Sequence, residues 1–213
     1  MKLYSFWRSS AAFRVRIALH LKGLAFETLS RKLAKGEQRG ADYLALNPQG
    51  LVPALEDGGT VFAQSLAIIE YLDETHRDPP LLPADAAGRA IVRSIAQAIA
   101  CDIHPLNNLR VLNYLRSPLG LDEDGVNAWY RHWIVTGFAP LEQLALRHSR
   151  DHKHLYGNAL SLADVCLVPQ VYNARRYDCD LTPFPTLLAI STALEALPAF
   201  AAARPEAQPD ASR

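Results

Sequence analysis

The chain predicts two domains of different class, an α/β half followed by an all-α half, and three observations lead there. Within residues 1–76 the apolar pattern changes period repeatedly, from strict alternation to helical spacing and back. Pro79, Pro80 and Pro83 then interrupt the chain where no periodicity remains. Beyond them the strand signals stop and the apolar segments repeat at helical spacing. This reading places an α/β domain at 1–76, a linker at 77–83, an all-helical domain at 84–203 and a Pro/Ala/polar tail at 204–213 that is expected to be disordered.

Lys2 to Phe6 alternates as a half-buried strand does, and Phe13, Ile17 and Leu21 recur at helical spacing, so the period switches near Ser9 and Ser10. Gly23 closes the helix as a C-cap would, and Ala25 to Leu29 reads as a second strand. Strand, helix and strand in so short a span form a βαβ unit, which pairs in parallel. Arg31 to Gly40 is polar and reads as a loop, followed by a short helix at Ala41 to Leu46. Pro48 and Gly50 punctuate a turn, and Pro53 opens an apolar strand, a position where a proline loses no ladder donor. Ala54 to Glu56 and Thr60 to Ala63 are the arms of a hairpin turning through Gly58 and Gly59. Ser65 is a fitting N-cap for a helix carrying Leu66, Ile68, Ile69 and Leu72 and running to about Thr75.

In the second half, Ala84 to Leu115 is helical in period, with Pro105 expected to kink it and Gln97, Asn107 and Asn108 lying near His104 on the polar side. Val126 to Leu146 carries an aromatic stripe through Trp129, Trp133 and Phe138, which reads as core. Ser161-Leu162-Ala163-Asp164 is a capping-box variant ahead of an apolar helix ending at Arg175-Arg176-Tyr177. The two arginines there either satisfy the helix C-terminus or project towards a ligand. Pro183 and Pro185 break the chain before a short helix to about Ala193, and Leu197 to Ala203 forms another.

The 213 residues, 49% of them hydrophobic, suffice for a real core. With 22 basic and 22 acidic residues the formal charge is zero, so nothing in the balance points to nucleic acid or an anionic membrane. No apolar run approaches the ~20 residues of a membrane span, and Met1-Lys2-Leu3 leads straight into a strand, so a cytoplasmic protein is expected. Cys101, Cys166 and Cys179 are odd in number and widely spaced, which argues against a disulfide framework, a zinc site or a dithiol centre. Three buried thiols are expected instead.

The chemistry gathers at the turn Phe6-Trp7-Arg8-Ser9-Ser10. A helix that begins there sets its unpaired N–H groups and its dipole beside two hydroxyls and an arginine, and such an end favours an anion. On these residues alone a plain capped helix, with Ser10 as N-cap and Arg8 as surface charge, is the simpler account. Gln64-Ser65 opens a second helix N-terminus of the same kind.

A βαβ-α-ββα half, a proline linker and a helical half with a Ser-x-x-Asp cap together resemble the glutathione transferase fold, whose N-terminal half is thioredoxin-like, over essentially the whole chain. Within it, Arg8-Ser9-Ser10-Ala11-Ala12-Phe13-Arg14-Val15-Arg16-Ile17-Ala18-Leu19 is similar to the zeta-class signature. Asn47 to Leu55 and Gln64 to Leu72 match further segments of that class, at the right separations. Cys101 to Asn108 and the Arg175-Arg176 pair are similar to its maleylacetoacetate and maleylpyruvate isomerases, the second being the closer likeness. One departure stands out: Ala11 occupies the place of the signature cysteine, so any role of that cysteine is in doubt here, while thiol activation belongs to the first serine, Ser9.

The resemblance implies glutathione as cofactor and cis-to-trans isomerisation of a maleyl keto-diacid in aromatic catabolism, by thiolate addition, bond rotation and elimination, with no metal. Ser9, with Ser10 and Arg8 beside it, is the catalytic group it implies. A thiol of pKa ~8.5 is mostly protonated at neutral pH, and a hydroxyl with a helix N-terminus could lower it by a unit or two. Gln49, Val52, a cis Pro53, Gln64, Ser65, His104 and Asn108 are the implied glutathione contacts. Arg8, Arg176 and Arg110 are the implied substrate contacts, although helical spacing sets Arg110 away from the His104 face; arginine's planar fork suits a carboxylate. A homodimer is the assembly expected of the family. Two other readings stay open: a zeta-type transferase acting on α-halo acids, and a non-catalytic binding protein of the same fold.

Overall fold

The computed structural model describes residues 1–211; Ser212 and Arg213, the end of the expected tail, lie outside the described residues. The chain divides into two compact units, Met1–Pro80 with the segment from Ala196 onward, and Leu81–Glu195.

The first unit is built on a four-stranded sheet in the order β2-β1-β3-β4. Strand β1 (Lys2–Ser5) runs parallel to β2 (Glu27–Ser30) and antiparallel to β3 (Ala54–Asp57), which pairs in turn with β4 (Thr60–Ala63). The parallel pair is the expected βαβ unit, with α1 (Ser10–Leu21) as the crossover. Leu3 faces Leu55 across the sheet, both fully buried, while Tyr4 and Ala54 join Tyr43 in a cluster on the opposite pleat. Gly23 adopts φ +63° and ends α1 with its N–H on the His20 carbonyl and the Leu24 N–H on that of Leu19, a left-handed closure that glycine makes without a Cβ penalty. The polar stretch read as loop contains two short 3-10 turns, Leu33–Lys35 and Glu37–Arg39, before α2 (Ala41–Leu46). Helix α3 (Ser65–Thr75) follows β4 and packs beside α1.

The second unit holds α4 (Ala86–Gln97), α5 (His104–Leu106), α6 (Leu109–Arg116), α7 (Glu123–His148), α8 (Leu162–Arg176) and α9 (Pro185–Glu195). Helix α8 is its centre, buried everywhere except at Tyr172, Arg175 and Arg176. The Asp164 carboxylate accepts from the Ser161 N–H at 2.8 Å, the Ser161 hydroxyl at 2.8 Å and the Leu155 N–H at 2.7 Å, so the capping residue also ties down the preceding loop.

Three expectations need correction. The long helix from Ala84 is broken rather than kinked: Ala98–Ile103 is a π-helical turn between α4 and α5, and the His104 N–H reaches back to the Ile99 carbonyl. Pro105 has no N–H to give Cys101 and its ring crowds that carbonyl, a conflict that a wider turn relieves. Of the three thiols expected to be buried only Cys166 is; Cys101 is exposed and Cys179 half-buried. Finally, 196–203 does not stay with the helical domain, nor is the segment from 204 a loose tail over its described part. Helix α10 (Pro198–Ala203) lies against α1, a 3-10 turn spans Pro205–Ala207, and Asp210 bonds to Trp7 and Ser30. Local composition cannot reveal such contacts, because their partners lie at the other end of the chain.

Candidate active site

The turn between β1 and α1 is drawn tight by the Ser9 N–H on the Phe6 carbonyl, at 2.9 Å. Ser9, not Ser10, is the N-cap: its backbone is extended and its Oγ accepts from the Ala12 N–H at 3.3 Å. A hydroxyl that accepts in this way keeps its proton to donate. Ser10 is the first helical residue and is buried, and Ala11, in the place of the signature cysteine, is half-buried behind it. The Arg8 guanidinium lies 5.0 Å from the Trp7 ring centroid.

A second cluster forms where α3 begins. Gln64, not Ser65, holds the cap position, at φ 69° and ψ 118°, a backbone conformation that costs a side-chain-bearing residue of order 1–3 kcal/mol and concentrates at ligand sites. Its Nε2 donates to Gln49 Oε1 at 2.8 Å, joining the two glutamines named from the sequence. The loop carrying Gln49 is held by Asn47, whose Nδ2 donates to the Leu51 carbonyl at 2.8 Å, and by the Tyr43 hydroxyl on that same carbonyl at 2.7 Å. The Val52–Pro53 bond that follows is cis. Ser65 is buried, and its Oγ accepts from Arg14 Nη1 at 3.3 Å.

Within the helical unit, His104 heads α5 directly after the π-helical turn, half-buried. Asn108 caps α6 by accepting the Arg110 N–H on its Oδ1 at 3.1 Å, and Arg110 itself is exposed. The two adjacent arginines divide: Arg175 Nη1 pairs with Glu195 at 2.7 Å, whereas the exposed Arg176 stacks 4.9 Å from the Tyr177 ring, itself stacked on Tyr130. Burial pushes the Cys179 thiol up to about 11, so it is no nucleophile at neutral pH. Among the described residues no cluster of His, Cys, Asp and Glu is placed to hold a metal.

Sequence reasoning missed Arg14, Arg16 and Asp210. Arg14 and Arg16 are 1% and 0% exposed, which is rare for arginine and requires partners. Their signal was legible in principle, since α1 is apolar nearly all round and two arginines inside such a helix cannot all reach water. Asp210, in a polar tail, carries no such signal.

A family model described as the glutathione S-transferase N-terminal domain matches residues 8–75. A probable maleylacetoacetate isomerase of Vibrio cholerae is 54% identical, over 98% of this chain and 97% of its own. A holo structure of a maleyl pyruvate isomerase, a bacterial zeta-class glutathione S-transferase, superposes with a TM-score of 0.97 at 50% identity, covering 100% of both chains. A maleylacetoacetate isomerase from Methylobacterium extorquens, with malonate and GSH bound, superposes with a TM-score of 0.96 at 43% identity, again over 100% of both.

Proposed function

The chain belongs to the zeta-class glutathione S-transferase family, that of the maleylacetoacetate and maleylpyruvate isomerases, and we propose that it is a glutathione-dependent cis-trans isomerase of a maleyl keto-diacid. One observation carries the reading: the Ser9 hydroxyl caps α1 as an acceptor and keeps its proton for an anion at that helix end. The donor set suits glutathione, a peptide with one thiol and two carboxylates. Hydroxyl and helix N-terminus serve the sulfur, while Ser65, backed by the buried cation of Arg14, serves a carboxylate.

Glutathione, when bound, supplies a thiolate that adds reversibly to the cis double bond, which then turns as a single bond before it re-forms trans. Ser9 would donate a hydrogen bond to the sulfur and, with the N–H groups of α1, would favour the ionised form by roughly 1.4 to 2.7 kcal/mol if the thiol pKa falls by one or two units. Ser10 shares that helix end. Gln49, Val52, Pro53, Gln64 and Ser65 hold the peptide, with His104 and Asn108 as contacts from the helical unit. Arg8 takes a substrate carboxylate and the oxygen that gains charge on addition; Arg176 and Arg110 are assigned to substrate carboxylates as well. The neighbour that holds malonate together with GSH supports a dicarboxylate as the substrate class. A homodimer in the cytoplasm completes the proposal; among the described residues no helix is long and apolar enough to cross a membrane.

The decisive assay presents maleylpyruvate and maleylacetoacetate to the purified protein with and without glutathione. Glutathione-dependent conversion of either to its trans isomer is expected. No turnover of both, with release of a glutathione conjugate from an α-halo acid, would overturn the isomerase reading in favour of a transferase.

A further inference from the structure

The two peptides that flank the Trp7 Cα are each held by a charged side chain, one half-buried and one fully buried. The Trp7 N–H donates to Asp210 Oδ2 at 3.1 Å, and the Trp7 carbonyl accepts from Arg16 Nη2 at 2.9 Å. Arg16, fully buried, spends its other donors on Ser5 Oγ at 3.2 Å and the Ala203 carbonyl at 3.0 Å. Asp210 Oδ2 also takes the Ser30 hydroxyl at 2.6 Å, which fastens the end of β2 to the same oxygen. Burial lowers the Arg16 guanidinium to about 10, with the Asp210 charge pulling the other way, so it stays a cation at neutral pH.

Trp7 immediately precedes Arg8 and stands two residues before Ser9, inside the turn that the Ser9 N–H closes on Phe6. Hydrogen bonds to ionised groups are the shorter and stronger kind, and one on each of the two peptides that flank the Trp7 Cα restrains both dihedrals of Trp7 between them. We propose that Asp210, together with Arg16, is a positioning residue of the reaction, fixing the backbone on both sides of Trp7 so that the Ser9 hydroxyl and Arg8 meet thiolate and substrate in register. The end of the chain thereby completes the turn at its beginning. This rests on the role given to Ser9 above.

The test uses the full-length enzyme and two readouts, kcat and the pKa of glutathione's thiol in the binary complex, followed by thiolate absorbance against pH. Asp210→Ala is expected to lower kcat about tenfold, since misplacements of about 1 Å can cost up to about a hundredfold. It should also raise the bound thiol's pKa by about half a unit towards the free value near 8.5. Asp210→Asn, which keeps an oxygen acceptor for the Trp7 N–H, should restore kcat to within about threefold of wild type. Wild-type kcat and thiol pKa in Asp210→Ala, whatever its melting temperature, overturn the proposal and leave Asp210 a structural tie. Should Asp210→Ala not fold, Ser30→Ala loosens the same carboxylate and must raise the thiol pKa in the same direction; an unchanged value overturns it. Ser9→Ala separates the two readings. If it leaves the thiol pKa unmoved, the role of Ser9 itself has failed, whereas a shift there with none in Asp210→Ala refutes only the positioning role.

Discussion

On the proposed reading Ser9 does two jobs with one side chain, capping α1 through its oxygen and leaving its proton for the sulfur. Replacement by alanine therefore loses both. Ser9→Ala is expected to lower kcat about a hundredfold, as the loss of one preorganised donor does elsewhere. The cap costs a further ~1 kcal/mol of stability, visible in melting but not sufficient to unfold the chain. Near-normal turnover in steady-state assays would return Ser9 to a plain capping role. The motif around Ser9 was readable because its residues are neighbours in sequence. Which serine caps was not, since Ser9 and Ser10 are equivalent as residue types and only the backbone at Ser9, extended at φ −70° and ψ 119°, decides between them. Arg14 and Arg16 show the opposite case. Their partners, Ser65 and the Trp7 and Ala203 carbonyls, are brought up by other elements, so no local pattern names them.

Helix α8 and the π-helical turn mark what can and cannot be read at the next scale. The Ser-x-x-Asp cap is a local rule, and the helix begins where it says. Asp164 then carries more than a cap, because a fully buried carboxylate here serves three donors, one of them from Leu155 in the preceding loop. Asp164→Ala strands those donors and is expected to cost about 3 kcal/mol or more, each buried unsatisfied group costing about 1–3. The denaturant midpoint should fall with the slope unchanged; an unaltered midpoint would refute the account. By contrast, the turn at Ala98–Ile103 packs against a neighbour. A Cβ at Gly137 of α7 would come within 2.3 Å of the Ile103 side chain, so that side chain occupies the space which a glycine leaves there. Pro105 announces a disturbance in the sequence, but not that it takes the form of a π-helical turn.

The first unit is finished by the last part of the chain. Helix α10 covers α1, and the Ala203 carbonyl satisfies a buried arginine. A chain ending at Glu195 would leave Arg16 short of a partner and α1 bare along that side. Breaking a buried charged contact costs about 3–5 kcal/mol, so this shortened chain should melt roughly 10 °C lower in calorimetry, or fail to fold. An unchanged melting temperature would show that the segment is dispensable. By itself, then, the sequence determined the strand and helix order, the hairpin, the serine-rich turn before α1, the cap at Ser161 and the family, because each of these is written in residues a few positions apart. The tertiary structure decided which serine caps, where the helix after α4 widens, which of two arginines is spent on Glu195, and that Asp210 folds back to hold the Trp7 N–H. Those outcomes depend on buried charges finding partners far along the chain, and burial belongs to the folded molecule rather than to any stretch of it.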